Sequence, residues 1–284
     1  MIHKRRQAIK VQTLFATVIC AILAVGSALS LEAHDLFLKP NDFFVAPHAS
    51  LSIRVLNGTF TTSEAEVTRS RLRDLSVAGP AGVTHPDTST WTGSKKESTW
   101  RVGLAEAGTY VLGASVLPRT LGLTAKAFND YLAEDGLPDI LAQRRERNEL
   151  ERPARERYAK HVKTIVQVGD VRSNTIDIPL GYPAELVPLD NPYVLRRGDT
   201  FRVRALVERK PVPNMVVLAG GHTAQGKPIP SASVRTDADG VARIPIRTSG
   251  VWYVKFIDMR RIAPDARDSV DYESKWATLT FAIR

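Results

Sequence analysis

Of the six histidines in the 284-residue chain, His3 lies near the start, and His34, His48, His85, His161 and His222 follow residue 33. They are the side chains best suited to chemistry in a region without a thiol. The one cysteine, Cys20, sits inside an N-terminal apolar run. Disulfides, iron–sulfur clusters, thiolate zinc sites and cysteine nucleophiles are therefore excluded beyond that run. His85 in THPD and His222 in GGHT read as loop residues. His161 reads as helical, between Lys160 and Lys163, where neighbouring cations weigh against a metal. His34 differs for a chemical reason. As a first residue it would offer an amine and an imidazole on one frame, a five- or six-atom chelate suited to Cu(II) or Ni(II). The plainer alternative is that His34-Asp35 only begins a strand.

That chelate depends on processing. Met1 to Lys10 is basic and is followed by VQTLFATVICAILAVGSALS, the pattern of a secretory signal over residues 1–33. Small residues at Gly26/Ala28 and Ala28/Ser30 suit a signal peptidase, and Leu31/Ala33 is a poorer but usable pair that would expose His34. The apolar run also has nearly the length of an uncleaved anchor. Export is common to both outcomes, and a periplasmic or secreted location is expected. No later segment approaches eighteen consecutive apolar residues, so no membrane span is expected after signal removal.

The elements that must position these residues are mainly strands. LSIRVLN, RDLSVAG, STWRVGL and TYVLGASV are short alternating or aliphatic runs between turn residues. From about 124 to 163 the period becomes helical, with Phe128, Tyr131 and Leu132 on one face and breaks at Gly136-Leu137-Pro138 and Pro153. Strand patterns return in TIVQVG and SNTIDIPL, then in TFRVRALVER, NMVVLAG, VARIPIR, VWYVKFID and WATLTFAIR. The expected architecture is mainly β, with two antiparallel sandwich units. One spans 34–182 and contains the helical insertion, and the other spans 183–284.

Several motifs are weaker than they look. RRERNELERPARER interleaves Glu146, Glu149, Glu151 and Glu156 with its arginines, so a solvated helix face is expected and no nucleic-acid partner. The net charge of +9 arises from 39 Lys and Arg against 30 Asp and Glu, with four of the cations in the leader. Gly221 to Lys227 has P-loop spacing, but Pro228 stands where a Ser or Thr hydroxyl is required, and no nucleotide or organic cofactor is expected. Thr236-Asp237-Ala238-Asp239-Gly240 lacks the closing glutamate of a calcium loop and reads as a hairpin turn. No Gly-x-Ser-x-Gly elbow, Ser-x-x-Lys pair or His-Glu-x-x-His motif occurs.

Taken together, AHDLFLKP behind the leader, FNDYLAEDGL in the insertion, Glu156-Arg157-Tyr158 with Lys163 and Gly169, ELVPLDNP, TDADG and the terminal YESKWATLTF resemble an exported bacterial family. Its members are labelled NikM-like or nickel-uptake periplasmic components, and their biochemistry is unassigned. The resemblance covers nearly the whole mature chain. It implies a periplasmic, mainly β protein with immunoglobulin-like or transthyretin-like sandwich modules, associated with nickel or cobalt uptake, and it transfers His34, with Asp35 as a weaker neighbour, as metal candidates. Leu38 and His161 depart from the family pattern, His161 standing where an aromatic residue is common.

The expected function is a non-enzymatic, exported protein that binds or delivers Ni(II), Co(II) or Cu(II) to a membrane uptake partner, with His34 as primary ligand, Asp35 as a weaker candidate, and another histidine of the mature chain available to complete the site. The alternative is an envelope module that docks protein or glycan without metal. A copper oxidase of the terminal-histidine type is a third reading.

Overall fold

Strand β8 (Gly108–Val116) is buried at all nine positions, and the last nine residues of Ala154–Val168 are buried as well. Such runs belong to a sheet covered on both faces. The computed structural model describes residues 34–263 and 270–284, and the expected leader over residues 1–33 lies outside them. In chain order the strands before the insertion are β1 (Asp35–Pro40), β2 (Phe44–Val45), β3 (Ala49–Gly58), β4 (Leu72–Gly79), β5 (Gly82–Thr84), β6 (Trp91–Gly93), β7 (Ser98–Leu104), β8 and β9 (Arg119–Leu123). Helices α1 (Ala125–Glu134) and α2 (Pro138–Glu146) follow. The remaining strands are β10 (Ala154–Val168), β11 (Ala184–Pro188), β12 (Thr200–Val207), β13 (Lys210–Pro211), β14 (Val216–His222), β15 (Pro228–Arg235), β16 (Val241–Pro245), β17 (Gly250–Arg261) and β18 (Tyr272–Ile283).

The fold is mainly β, with several antiparallel sheets. A ten-stranded sheet runs β15-β14-β17-β18-β10-β8-β4-β5, with β2 and β9 also paired to β10. A sheet of order β1-β3-β7-β6 packs on one face, where Leu36, Leu38, Ile53, Val55 and Trp100 meet Leu112, Ala114, Val162 and Val166. A third sheet, β11-β12-β13 with β16 also on β12, packs on the other face through Leu186, Phe201, Val203 and Ile244 against Val254, Phe256, Leu279 and Phe281. Three layers result, with the long sheet in the middle. The expected division at residues 182 and 183 is crossed by that sheet. Strand β10 pairs in parallel with β18 from Glu156↔Tyr272 to Thr164↔Thr280, which joins the two halves.

The helical expectation holds for 125–146 and fails beyond it. Thr124 caps α1 by accepting from the Ala127 N–H at 3.3 Å, and Phe128, Tyr131 and Leu132 bury its inner face. Each such side chain contributes about 1.5–3 kcal/mol of burial. Gly136 takes φ +79°, and Pro138 opens α2, as the break predicts. Residues 154–163, expected in the helix, are strand. Two of the glutamates that suggested a solvated helix face are instead buried: Glu149 bonds Arg261 at 2.5 Å and Glu156 accepts from Ser274, while Glu146 and Glu151 stay exposed as expected. Further along β10, Lys163 bonds Glu185 at 2.5 Å with both side chains nearly inaccessible. β-Branched Val162, Thr164, Ile165, Val166 and Val168 favour the strand once both faces are covered.

The Asp-Gly turn at 237–240 is also not a hairpin. Asp237 accepts N–H bonds from Asp239 and Val241, and Gly240 has φ +72°. The strands it joins pair elsewhere, β15 with β14 and β16 with β12, so the turn carries the chain from the central to the third layer.

Candidate functional site

On one face of the central sheet, β1 and the α1–α2 pair cover adjacent areas, and a row of charged side chains lies in the seam between them. Lys255, in the middle of β17, donates to Asp35 Oδ2 on β1 at 2.6 Å and to Asp135 Oδ1, the C-terminal cap of α1, at 2.7 Å. Burial works against the charge on Lys255, but the two carboxylates outweigh it and hold its pKa above the usual lysine range. Burial raises the Asp135 pKa against the pull of Lys255, and the nearby Asp35 adds to the rise. Two carboxylates sharing one ammonium group behave this way, because the second negative charge has no separate counter-ion.

Lys160, two turns of the pleat along β10 from Glu156, extends the row. Its Nζ donates to the His34 carbonyl and lies 4.9 Å from the Trp276 ring centroid and 5.1 Å from that of Tyr158. Desolvation lowers its pKa to about 8, against the opposing pull of Asp35, Glu156 and Asp135. Glu156 Oε1 accepts from Ser274 and, at 3.2 Å, from the Tyr131 hydroxyl. Burial raises the Glu156 pKa, and those hydrogen bonds oppose the rise. Glu156 Oε2 and Asp35 Oδ1 are buried without a hydrogen-bond partner. Tyr131 stacks on Trp276 at 5.7 Å, closing the row toward the helices.

Burying this many ionised groups is costly, and an apolar seam of the same volume would be as stable or more so. Charge clusters retained against that cost mark candidate functional sites.

His34 stands at the rim. Its side chain is 23% exposed, and Nε2 lies 3.4 Å from Glu64 Oε2, itself 50% exposed. His34 and Asp35, expected as joint ligands, are not brought to one point: Asp35 Oδ2 is taken by Lys255 and His34 faces Glu64. Among the described residues no three His, Cys, Asp or Glu side chains converge as a metal site.

The other histidines lie elsewhere. His48 sits in a turn at φ 61°, and His85 Nδ1 is 2.8 Å from Asp74 Oδ1 on an exposed loop. His222, expected in a loop, ends β14 and stacks on Phe60 at 5.8 Å. His161, expected on a helix, is buried in β10 with Nδ1 2.9 Å from Ser115 Oγ. Strand β15 follows the Gly221–Lys227 segment where a P-loop would need a helix.

Sequence reasoning missed Lys255, Lys160, Asp135, Glu156 and Glu64. A faint signal existed in VWYVKFI, where one lysine interrupts an apolar and aromatic run.

The fold and the seam define a three-layer β protein with a charged row beneath strand β1. The chain belongs to the DUF4198 family, a domain of unknown function, whose family model matches residues 31–258. No curated protein matches it. Among solved structures it is similar to a DUF4785 family protein from Legionella pneumophila, at 12% identity and TM-score 0.23, over 77% of this chain and 50% of that one. The chain thus spans half the length of that structure. Murine CEACAM1b aligns at 8% identity and TM-score 0.21, over 88% of this chain and 99% of that one. A tetra-tandem repeat from a large adhesion protein aligns at 14% identity and TM-score 0.21, over 88% and 49%. No helix among the described residues is long and apolar enough to cross a membrane.

Proposed function

We propose that this is an exported, non-enzymatic protein that holds a divalent transition metal, nickel or cobalt with copper as the third option, at His34 and passes it to a membrane uptake partner. The observation that carries this reading is the anchoring of residue 34: its carbonyl is held by the buried ammonium group of Lys160, while Lys255 fixes the next side chain. A terminal imidazole on a mobile tail would lose conformational freedom on binding metal, whereas a pre-positioned one loses less. One carboxylate stands beside the ring itself, Glu64 Oε2 at 3.4 Å from Nε2. His34 supplies its ring and, when it is the first residue, its amine, and water completes the shell.

Calorimetry tests this with protein that begins at His34. Ni(II), Co(II) or Cu(II) is expected to bind at one site per chain, and acetylating the amine or making His34→Ala is expected to abolish binding. Equal uptake by the acetylated or substituted protein refutes the reading.

A further inference from the structure

The nitrogen of His34 that faces Glu64 is Nε2. Covalent geometry allows only Nδ1 to close a six-membered chelate with the amine of the same residue, since Nε2 lies on the far side of the ring. Glu64 therefore occupies the edge of the imidazole that the chelate leaves unused. Metal-bound histidines commonly donate that second N–H to a carboxylate, which fixes the tautomer and the ring orientation.

The loop that carries Glu64 is built to hold it there. Gly58, at the end of β3, forms a bridge with Ser63, and the Glu64 N–H donates to Asn57 O at 2.9 Å. Thr59 Oγ1 accepts from the Thr62 N–H at 3.1 Å, and the Thr59 N–H donates to Thr62 O at 2.9 Å. Phe60, at the loop tip, packs against Phe37 at 5.1 Å and Tyr253 at 4.9 Å. A Cβ on Gly58 would stand 2.5 Å from Thr62 O, so the tight return needs glycine. The Glu64 carboxylate thus projects from a fixed loop toward an imidazole whose own main chain is fixed by Lys160. The gap of 3.4 Å exceeds the length of a closed charge-assisted bond, about 2.8 Å, and a half-exposed glutamate can close it by rotating.

We infer that Glu64 is a positioning residue for metal binding at His34: it accepts the Nε2 proton and leaves Nδ1 free for the ion. This rests on the metal reading above. It assigns Glu64 to the carboxylate–histidine–metal arrangement and not to the metal itself.

The test compares Ni(II) and Cu(II) binding by protein beginning at His34 with its Glu64→Ala, Glu64→Gln and His34→Ala variants. Glu64→Ala is expected to weaken binding about 10- to 100-fold. Glu64→Gln, whose amide oxygen still accepts the proton, is expected to recover most of that loss. The ligand-field absorption of the Cu(II) complex is expected to stay unchanged in both variants, because the donor atoms are the same. A shifted band in Glu64→Ala makes Glu64 a ligand and overturns the inference. Unchanged affinity in Glu64→Ala, with binding lost in His34→Ala, overturns it and leaves the metal reading standing. Unchanged affinity in His34→Ala overturns both.

Discussion

Acid should unfold this protein partly through one histidine. His161 is buried in the central sheet, its pKa lowered to about 3 by desolvation first and by the charges of Arg73 and Lys275 second. Its Nδ1 meets the Ser115 hydroxyl, its Nε2 has no partner, and the Tyr182 ring lies 6.0 Å away. The sign follows from proton uptake. A depressed folded-state pKa means that the unfolded chain takes the proton first, so stability is complete above about pH 6.5 and drains as pH falls toward 3. Between pH 7 and pH 4.5 the unfolded histidine goes from about a quarter protonated to fully protonated while the folded one gains almost nothing, and the difference integrates to a loss of about 2.5 kcal/mol. A folded-state value one unit higher changes that figure little, because pH 4.5 would still lie above it. Urea unfolding of the wild type and His161→Phe at both pH values isolates the effect, since other carboxyl groups titrate alike in the two proteins. The stability difference between them is expected to shift by about 2.5 kcal/mol in favour of the variant at the lower pH. A difference that stays constant with pH would refute the burial argument.

Lys255→Met would leave Asp35 and Asp135 facing each other without their shared ammonium group. Removing one partner from such a buried set costs about 3–5 kcal/mol, and adding Asp35→Asn and Asp135→Asn to the same chain is expected to restore much of it in chemical denaturation. Gly240→Val would put a β-branched residue at φ +72°, with its Cβ 2.9 Å from Pro211 Cβ. The variant is expected to lose more than about 1 kcal/mol, and an unchanged melting temperature would show that the turn between layers can relax.

Much of the fold was legible in strand patterns. LSIRVLN, STWRVGL and VWYVKFID all form strands, and the α1 face of Phe128, Tyr131 and Leu132 is buried as its spacing indicates. Residues 154–163 misled because period and charge are read against an assumed solvent. Glu156, Lys160 and Lys163 look exposed until their partners Ser274, the His34 carbonyl and Glu185 are brought in from distant positions. The site shows the same limit. The His34 proposal can be framed from sequence because terminal chelation would be a property of one residue, whereas Glu64 comes beside it only when the 59–63 loop returns it to β1.

By itself the sequence determined a mainly β chain without a thiol beyond Cys20, with a basic, apolar N-terminal segment and a helical pair between strand sets. These follow from local composition and periodicity, which each residue carries wherever the chain goes. The tertiary structure decided that one sheet lies inside two others, that β10 joins β18 in parallel, and that lysines lie beneath His34 and Asp35. Those outcomes depend on pairings more than a hundred residues apart, and the free energy of a buried charge is set by its neighbours in space.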